Sequence, residues 1–192
     1  MIAIIDYGAG NIRSVYNAVV KSGRQCILTT DKDLIRGADK VIVPGVGEAS
    51  YAMDNLRKTG LDTLIPDLRC PVLGICLGLQ LMCRFSEEGE TSCLGIFDTT
   101  VRKFRTSERI PHMGWNSINK LDGELFRDVK EGENMYFVHS YYAGLCESTI
   151  AVTSYDVEFS AALQKDNFYA TQFHPEKSAS SGELLLNNFL AL

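Results

Sequence analysis

No pair of cysteines in this sequence is spaced as C-x-x-C, which removes the common zinc and thioredoxin-type patterns. There is no G-x-x-x-x-G-K-[ST] run, and Gly8-x-Gly10 lacks the third glycine of a dinucleotide fingerprint because Arg13 stands in its place. Long apolar runs are missing too. Stretches such as Leu184–Leu186 fall far short of the roughly 20 residues that a membrane helix needs, so no membrane association is expected. Nor is there a basic block: 19 Lys and Arg stand against 24 Asp and Glu, for a net charge of −5, which argues against nucleic acid as the main partner. Met1-Ile-Ala-Ile-Ile-Asp6 has no basic lead-in and reads directly as a strand, so no signal peptide and a cytoplasmic location are expected.

What is present is an ordinary globular composition. Of 192 residues, 45% are hydrophobic and 22% charged, enough for one domain spanning residues 1–192 with a full core. Cys26, Cys70, Cys76, Cys83, Cys93 and Cys146 are expected to be reduced thiols, and free cysteine is mostly a small buried hydrophobe.

The first half alternates strand and helix. Ile2–Ile5, Cys26–Leu28, Lys40–Val43 and Pro71–Ile75 read as strands. Helices are expected after Asn11 as cap, after Asp31, from about Glu48 to Lys58 and near Leu61–Leu68. Apolar strands separated by helices imply a mostly parallel sheet covered on both faces, an α/β fold. The second half is richer in strands: Phe97–Phe104, Gly114–Ile118, Met135–His139, Thr149–Tyr155, Phe159–Gln164 and Phe168–Phe173, several of them antiparallel. Ser180-x-x-Glu183 reads as a capping box opening a final helix.

Three segments can carry chemistry. Gly74-Ile75-Cys76-Leu77-Gly78 sits where a buried strand hands over to a helix from Leu77 to about Phe85, the cysteine counterpart of the nucleophile elbow. Such a nucleophile has a strained backbone, its flanking glycines leave room for neighbouring chain, and helix N–H groups favour the thiolate. The Leu77 N–H is then one candidate oxyanion donor. Phe173-His174-Pro175-Glu176 supplies a base and its orienting carboxylate, with Pro175 holding His174 out of helical geometry. Pro44-Gly45-Val46-Gly47 follows the third strand, where such elbows place a second oxyanion donor. Taken singly, these are a buried cysteine, a surface histidine and an ordinary turn. His112 and His139 read as buried, hydrogen-bonded histidines, Trp115 and Tyr136 as core or interface aromatics, and Glu87-Glu88 as a solvated helix end.

In that order along the chain, Pro44–Gly47, Gly74–Gly78 with Gln80, and Phe173–Glu176 resemble a class I glutamine amidotransferase domain of flavodoxin-like fold. Asp6–Asn11, Pro111–Asn116 and Tyr136–Tyr141 are similar to the branch that serves imidazole glycerol phosphate synthase in histidine biosynthesis. The resemblance implies that Cys76 attacks the glutamine side-chain amide to form a thioester. His174 would act as base and acid, oriented by Glu176. Leu77 N–H and a backbone N–H of Val46 or Gly47 would hold the oxyanion. Gln80, Ser140 and Tyr141 would grip the amino-acid end of glutamine, with Glu88 facing its ammonium. No metal or organic cofactor is implied.

The implied partner is a separate (β/α)₈ cyclase subunit, in a heterodimer, that receives ammonia without release to water. Asn11, Met113, Trp115, Tyr136 and Lys177 would lie on the docking face. The resting glutaminase would be weak until the cyclase binds its ligand, with a reorientation of Pro44–Gly47 as the physical candidate. Two alternatives stay open: the same chemistry serving another synthase, or a silent subunit that uses the fold only for docking.

Overall fold

Short Ile- and Val-rich runs make the first strands, and their side chains alternate between two buried faces. The computed structural model describes residues 1–8, 10 and 12–192. Its first half runs β1 (Ile2–Ile5), α1 (Ile12–Lys21), β2 (Cys26–Thr29), α2 (Lys32–Arg36), β3 (Lys40–Val43), α3 (Ala49–Thr59), α4 (Leu61–Asp67), β4 (Val72–Ile75) and α5 (Leu77–Met82). The second half runs β5 (Cys83–Ser86), β6 (Thr91–Ser92), β7 (Phe97–Lys103), β8 (His112–Ser117), β9 (Asn134–His139), β10 (Tyr141–Ala143), β11 (Thr149–Tyr155), β12 (Val157–Lys165), β13 (Phe168–Thr171) and α6 (Ala179–Ala191).

The main sheet has the order β11-β12-β13-β4-β3-β1-β2. From β13 to β2 its neighbours are parallel, while β11 and β12 extend it antiparallel at one edge. Ala3, Ile5, Val41, Val43 and Val72 face α3, α4 and α5, whereas Ile2, Ile4, Ile42, Leu73 and Ile75 face α1 and α6. Strands buried on both faces need apolar residues at every position, which is why they read as unbroken runs. Each such Leu or Ile contributes about 1.5–3 kcal/mol on full burial. The remaining strands form a smaller sheet, β10-β7-β5-β6, and the antiparallel hairpin β8-β9.

Asp31 caps α2 as expected, accepting from the N–H groups of Asp33 and Leu34 at 2.9 and 3.1 Å. Asn11, expected to cap α1, lies outside the described residues. Two expectations fail. Helix α5 stops at Met82 instead of about Phe85, because Cys83–Ser86 is taken up as a strand between β7 and β6. The capping box is also displaced. Helix α6 starts at Ala179, so Ser180 lies inside its first turn, and Glu183 pairs with Lys21 at 2.9 Å. The residue ahead of the helix, Ser178, is turned instead to the His174 carbonyl, to which it donates at 2.6 Å. In both cases a tertiary partner outweighs the local signal.

Candidate active site

Cys76 stands between β4 and α5 with φ 55° and ψ −104°, a left-handed-side conformation that costs a non-glycine residue roughly 1–3 kcal/mol. Its backbone N–H is fixed on the Thr171 carbonyl at 2.7 Å, and its own carbonyl accepts the Gln80 N–H at 3.3 Å, closing the first turn of α5. The flanking glycines are steric requirements. A Cβ on Gly78 would collide with the Val43 carbonyl, and one on Gly74 would come within 2.8 Å of the Gly78 backbone. The turn is therefore pressed against two strands, and the thiol is left 5% exposed. All six cysteines are free thiols.

His174 follows β13 in extended geometry, with φ −97° and ψ 97°. Its backbone N–H donates to the Tyr136 carbonyl at 2.9 Å, and Ser178 Oγ accepts from the Tyr136 N–H at the same distance. Nδ1 lies 2.8 Å from Glu176 Oε1, and the two side chains are only 2% and 1% exposed. An ionised carboxylate only accepts, so Nδ1 carries the proton and Nε2 is the basic nitrogen of the neutral ring. Burial opposes the imidazolium, but the Cys76 and Glu176 side chains outweigh it through hydrogen bonding and negative charge, pushing His174 up to about 10. Nε2 is buried, and its contact with the thiol falls short of full hydrogen-bond geometry. Such contacts commonly tighten only around bound substrate.

Beside the thiol is a cavity of about 290 Å³. Cys76, Leu77 and Gln80 form its floor, Val46 and Gly47 one wall, and Val138 to Tyr141 the opposite wall, with Glu88 and Pro111 completing the lining. The expected substrate-binding residues Gln80, Glu88, Ser140 and Tyr141 thus converge on one space. Glu88 is a half-buried side chain rather than a solvated helix end. Its Oε2 accepts the Ala49 N–H at the start of α3 at 2.8 Å, while Glu87 accepts the Lys103 N–H at 2.9 Å. Burial, partly offset by the Ala49 hydrogen bond, raises the Glu88 pKa.

The loop after β3 holds a specific resting arrangement. The Leu77 N–H donates to the Gly45 carbonyl at 3.3 Å, and the buried Tyr7 hydroxyl donates to the Pro44 carbonyl at 2.6 Å. Burial, reinforced by the charge on Cys76, raises the Tyr7 pKa. Gly47 has φ 121°, a conformation that favours glycine.

Three of the expected docking residues, Met113, Trp115 and Tyr136, lie on the hairpin β8–β9, and Lys177 lies in the turn after β13. Along β8, His112 is buried while Met113 and Trp115 are 57% and 55% exposed. Trp115 meets Tyr136 of β9 edge to face at 6.0 Å, and Lys177 Nζ lies 5.8 Å from the centre of the Tyr136 ring. Asn11 lies outside the described residues. Sequence reading missed Gln172, which is fully buried and donates from Nε2 to Cys76 Sγ at 3.8 Å. Its place two residues before His174, directly after the strand beside the elbow, was the available signal. Among the described residues, no helix is long and apolar enough to cross a membrane.

The family model for class-I glutamine amidotransferases matches residues 3–192. The chain is 56% identical over 194 aligned positions to imidazole glycerol phosphate synthase subunit HisH of Bacteroides fragilis, covering 100% of this chain and 99% of that one. It is 45% identical to the HisH subunit of Pectobacterium atrosepticum, with the same coverage. Among solved structures it is similar to a putative GMP synthase component from Thermoplasma acidophilum, with a TM-score of 0.76 at 19% identity, covering 99% of this chain and 92% of that one. A crystal structure of a glutamine amidotransferase gives a TM-score of 0.75 at 17% identity, covering 99% and 97% of the two chains. At those identities the solved structures speak for the α/β fold.

Proposed function

We propose, for a chain that belongs to the class-I glutamine amidotransferase family, that it is the glutaminase subunit of an imidazole glycerol phosphate synthase. The observation that carries the chemistry is the buried His174–Glu176 pair set against a thiol on a strained strand-to-helix turn. Cys76 sulfur, its proton held on His174 Nε2, forms a C–S bond to the glutamine side-chain carbonyl carbon. The oxyanion collapses, the C–N bond breaks, and the proton held by His174 leaves with ammonia. His174 then takes a proton from water, whose hydroxide displaces sulfur from the thioester and releases glutamate. Glu176 keeps the imidazole in its Nδ1–H tautomer and stabilises its charged form. Gln80, Glu88, Ser140 and Tyr141 hold the amino-acid end of glutamine in the cavity, and the whole domain, residues 1–192, serves this one site.

The partner is a (β/α)₈ cyclase that accepts ammonia directly, docked over Met113, Trp115, Tyr136 and Lys177, with Asn11 in the same sequence motif set. Tyr136 is bonded through its backbone to His174 and Ser178, so a protein seated on this hairpin presses on the base segment. At rest the Leu77 N–H is engaged by the Gly45 carbonyl, which leaves the oxyanion pocket short of a donor. Rotation of the Pro44–Gly47 backbone would free Leu77 and present Val46 or Gly47 N–H. The assembly works in the cytoplasm, where its substrate and thiols are kept. The test is glutamate release from glutamine by the purified chain, first by itself and then with the cyclase plus its nucleotide ligand. A weak rate that rises strongly in the liganded complex is expected. A rate that a bound, liganded cyclase leaves unchanged would overturn the assignment of partner.

A further inference from the structure

The buried amides beside the thiol form a chain whose direction is set by its far end. The Tyr141 carbonyl can only accept, so Gln80, whose Nε2 lies 2.9 Å from it, presents its NH₂ group there. The same NH₂ reaches Gln172 Oε1 at 3.1 Å. Gln172 is thereby committed as an acceptor at one end, and its own NH₂ is turned to Cys76 Sγ at 3.8 Å. Gln172 is fully buried, and its backbone N–H is held by the Ala161 carbonyl at 2.8 Å, which fixes the residue beside the sulfur. In the thiol form, the S–H has the Val138 carbonyl at 3.9 Å as its acceptor. Ionisation removes that contact, since sulfur then has nothing to donate, and strengthens the N–H···S bond from Gln172.

We propose that Gln172 is a further catalytic residue of this site, donating an amide hydrogen bond that stabilises the Cys76 thiolate and aims it at the substrate cavity. The inference rests on the reading of Cys76 as nucleophile. The proton lost by sulfur goes to His174 Nε2, and Gln172 keeps both of its own. As the C–S bond forms, negative charge moves from sulfur to the carbonyl oxygen and the amide contact weakens. When water displaces sulfur from the thioester, the thiolate returns and the contact re-forms, so Gln172 assists the leaving group of the second step. The titratable groups around this sulfur are His174 with Glu176 behind it, Tyr7 beneath the Pro44–Gly45 loop, and His139 and Glu88 in the cavity wall. Gln172 differs from all of them in having no titratable group, so its amide donates to the sulfur at every pH.

The test is the pH dependence of Cys76 alkylation by iodoacetamide, read by mass on the Cys76 peptide, beside glutamate release by the same chain with its cyclase. Gln172→Met keeps the bulk and removes the donor. It should raise the alkylation midpoint by about one pH unit and lower kcat roughly tenfold with little change in KM. Gln172→Glu, which sets a carboxylate against sulfur, should raise the midpoint further. An unchanged midpoint and kcat in folded Gln172→Met would overturn the inference. Should both variants fail to fold, the unsubstituted chain labelled with ¹⁵N-glutamine decides. The Gln172 side-chain amide resonance should then move with the alkylation midpoint, and a resonance that stays fixed would overturn the proposal. An unsubstituted complex that releases no glutamate while Cys76 alkylates normally would instead overturn the glutaminase reading.

Discussion

All three histidines of this chain are buried, yet the pair joined to the hairpin β8–β9 and the one after β13 answer burial in opposite directions. His139 Nδ1 meets the Tyr141 carbonyl at 2.7 Å, so that nitrogen carries the proton and Nε2 accepts. His112 Nδ1 lies 3.0 Å from that Nε2, and Asn116 Nδ2 lies 3.3 Å from His112 Nε2. Every link is satisfied with both rings neutral, and burial lowers His112 to about 4 and His139 to about 3. His174 loses its water too, but a carboxylate and a thiol raise it to about 10. Burial alone makes a structural histidine, while burial against anionic partners makes one that can hold and return a proton.

The sharpest way to break this contrast is to remove each ring in turn. His174→Asn should lower glutamate release by about 10⁴-fold while the fold persists, measured in the cyclase complex. Glu176→Gln keeps the ring but removes its anionic partner and should cost about 10³-fold in kcat. Full activity in either variant would remove its residue from the mechanism. His112→Leu leaves His139 Nε2 without its donor and should destabilise the chain by about 1–3 kcal/mol in urea unfolding, with activity of the same order. Equal activity losses in His112→Leu and His174→Asn would erase the distinction between the two regions.

The same contrast has a pH signature. His174 binds its proton more tightly in the folded chain, so its stabilisation is complete below about 6.5 and is lost as pH climbs towards about 10. His112 and His139 stay neutral when folded while the unfolded chain takes up their protons below about 6.5, so stability falls as pH drops towards about 4 and about 3. In a series of melting temperatures against pH, His174→Gln should flatten the alkaline limb and His112→Leu the acid limb. Limbs that do not change would contradict the assignment. The smallest expected effect is on docking: Lys177→Ala removes an exposed cation from the proposed docking face, worth about 0.5–1 kcal/mol, and should weaken the cyclase complex by about two- to fivefold in titration.

Most of the parallel sheet was legible because doubly buried strands must be apolar throughout, and β3 runs over Lys40–Val43 as the sequence reads. The elbow was legible for a similar reason, since only glycine fits at Gly74 and Gly78. What stayed hidden depends on distant partners. Cys83–Ser86 continues a helical pattern and becomes a strand only because β7 and β6 flank it. Ser180 has the local signature of a cap, but the chain ahead of α6 is committed to His174 and Tyr136 through Ser178. Gln172 and Glu88 are polar residues whose meaning appears only when a sulfur and a helix start are brought to them by the fold.

The central claim is the division of the histidines, and ¹⁵N imidazole NMR of the uniformly histidine-labelled chain tests it most directly. At pH 7.5 the expected spectrum has one charged ring, assigned to His174 by its loss in His174→Asn and titrating near 10, and two neutral rings with the proton on Nδ1. Three neutral rings, or a His174 that titrates at or below the ordinary imidazole value of about 6.5, would contradict it.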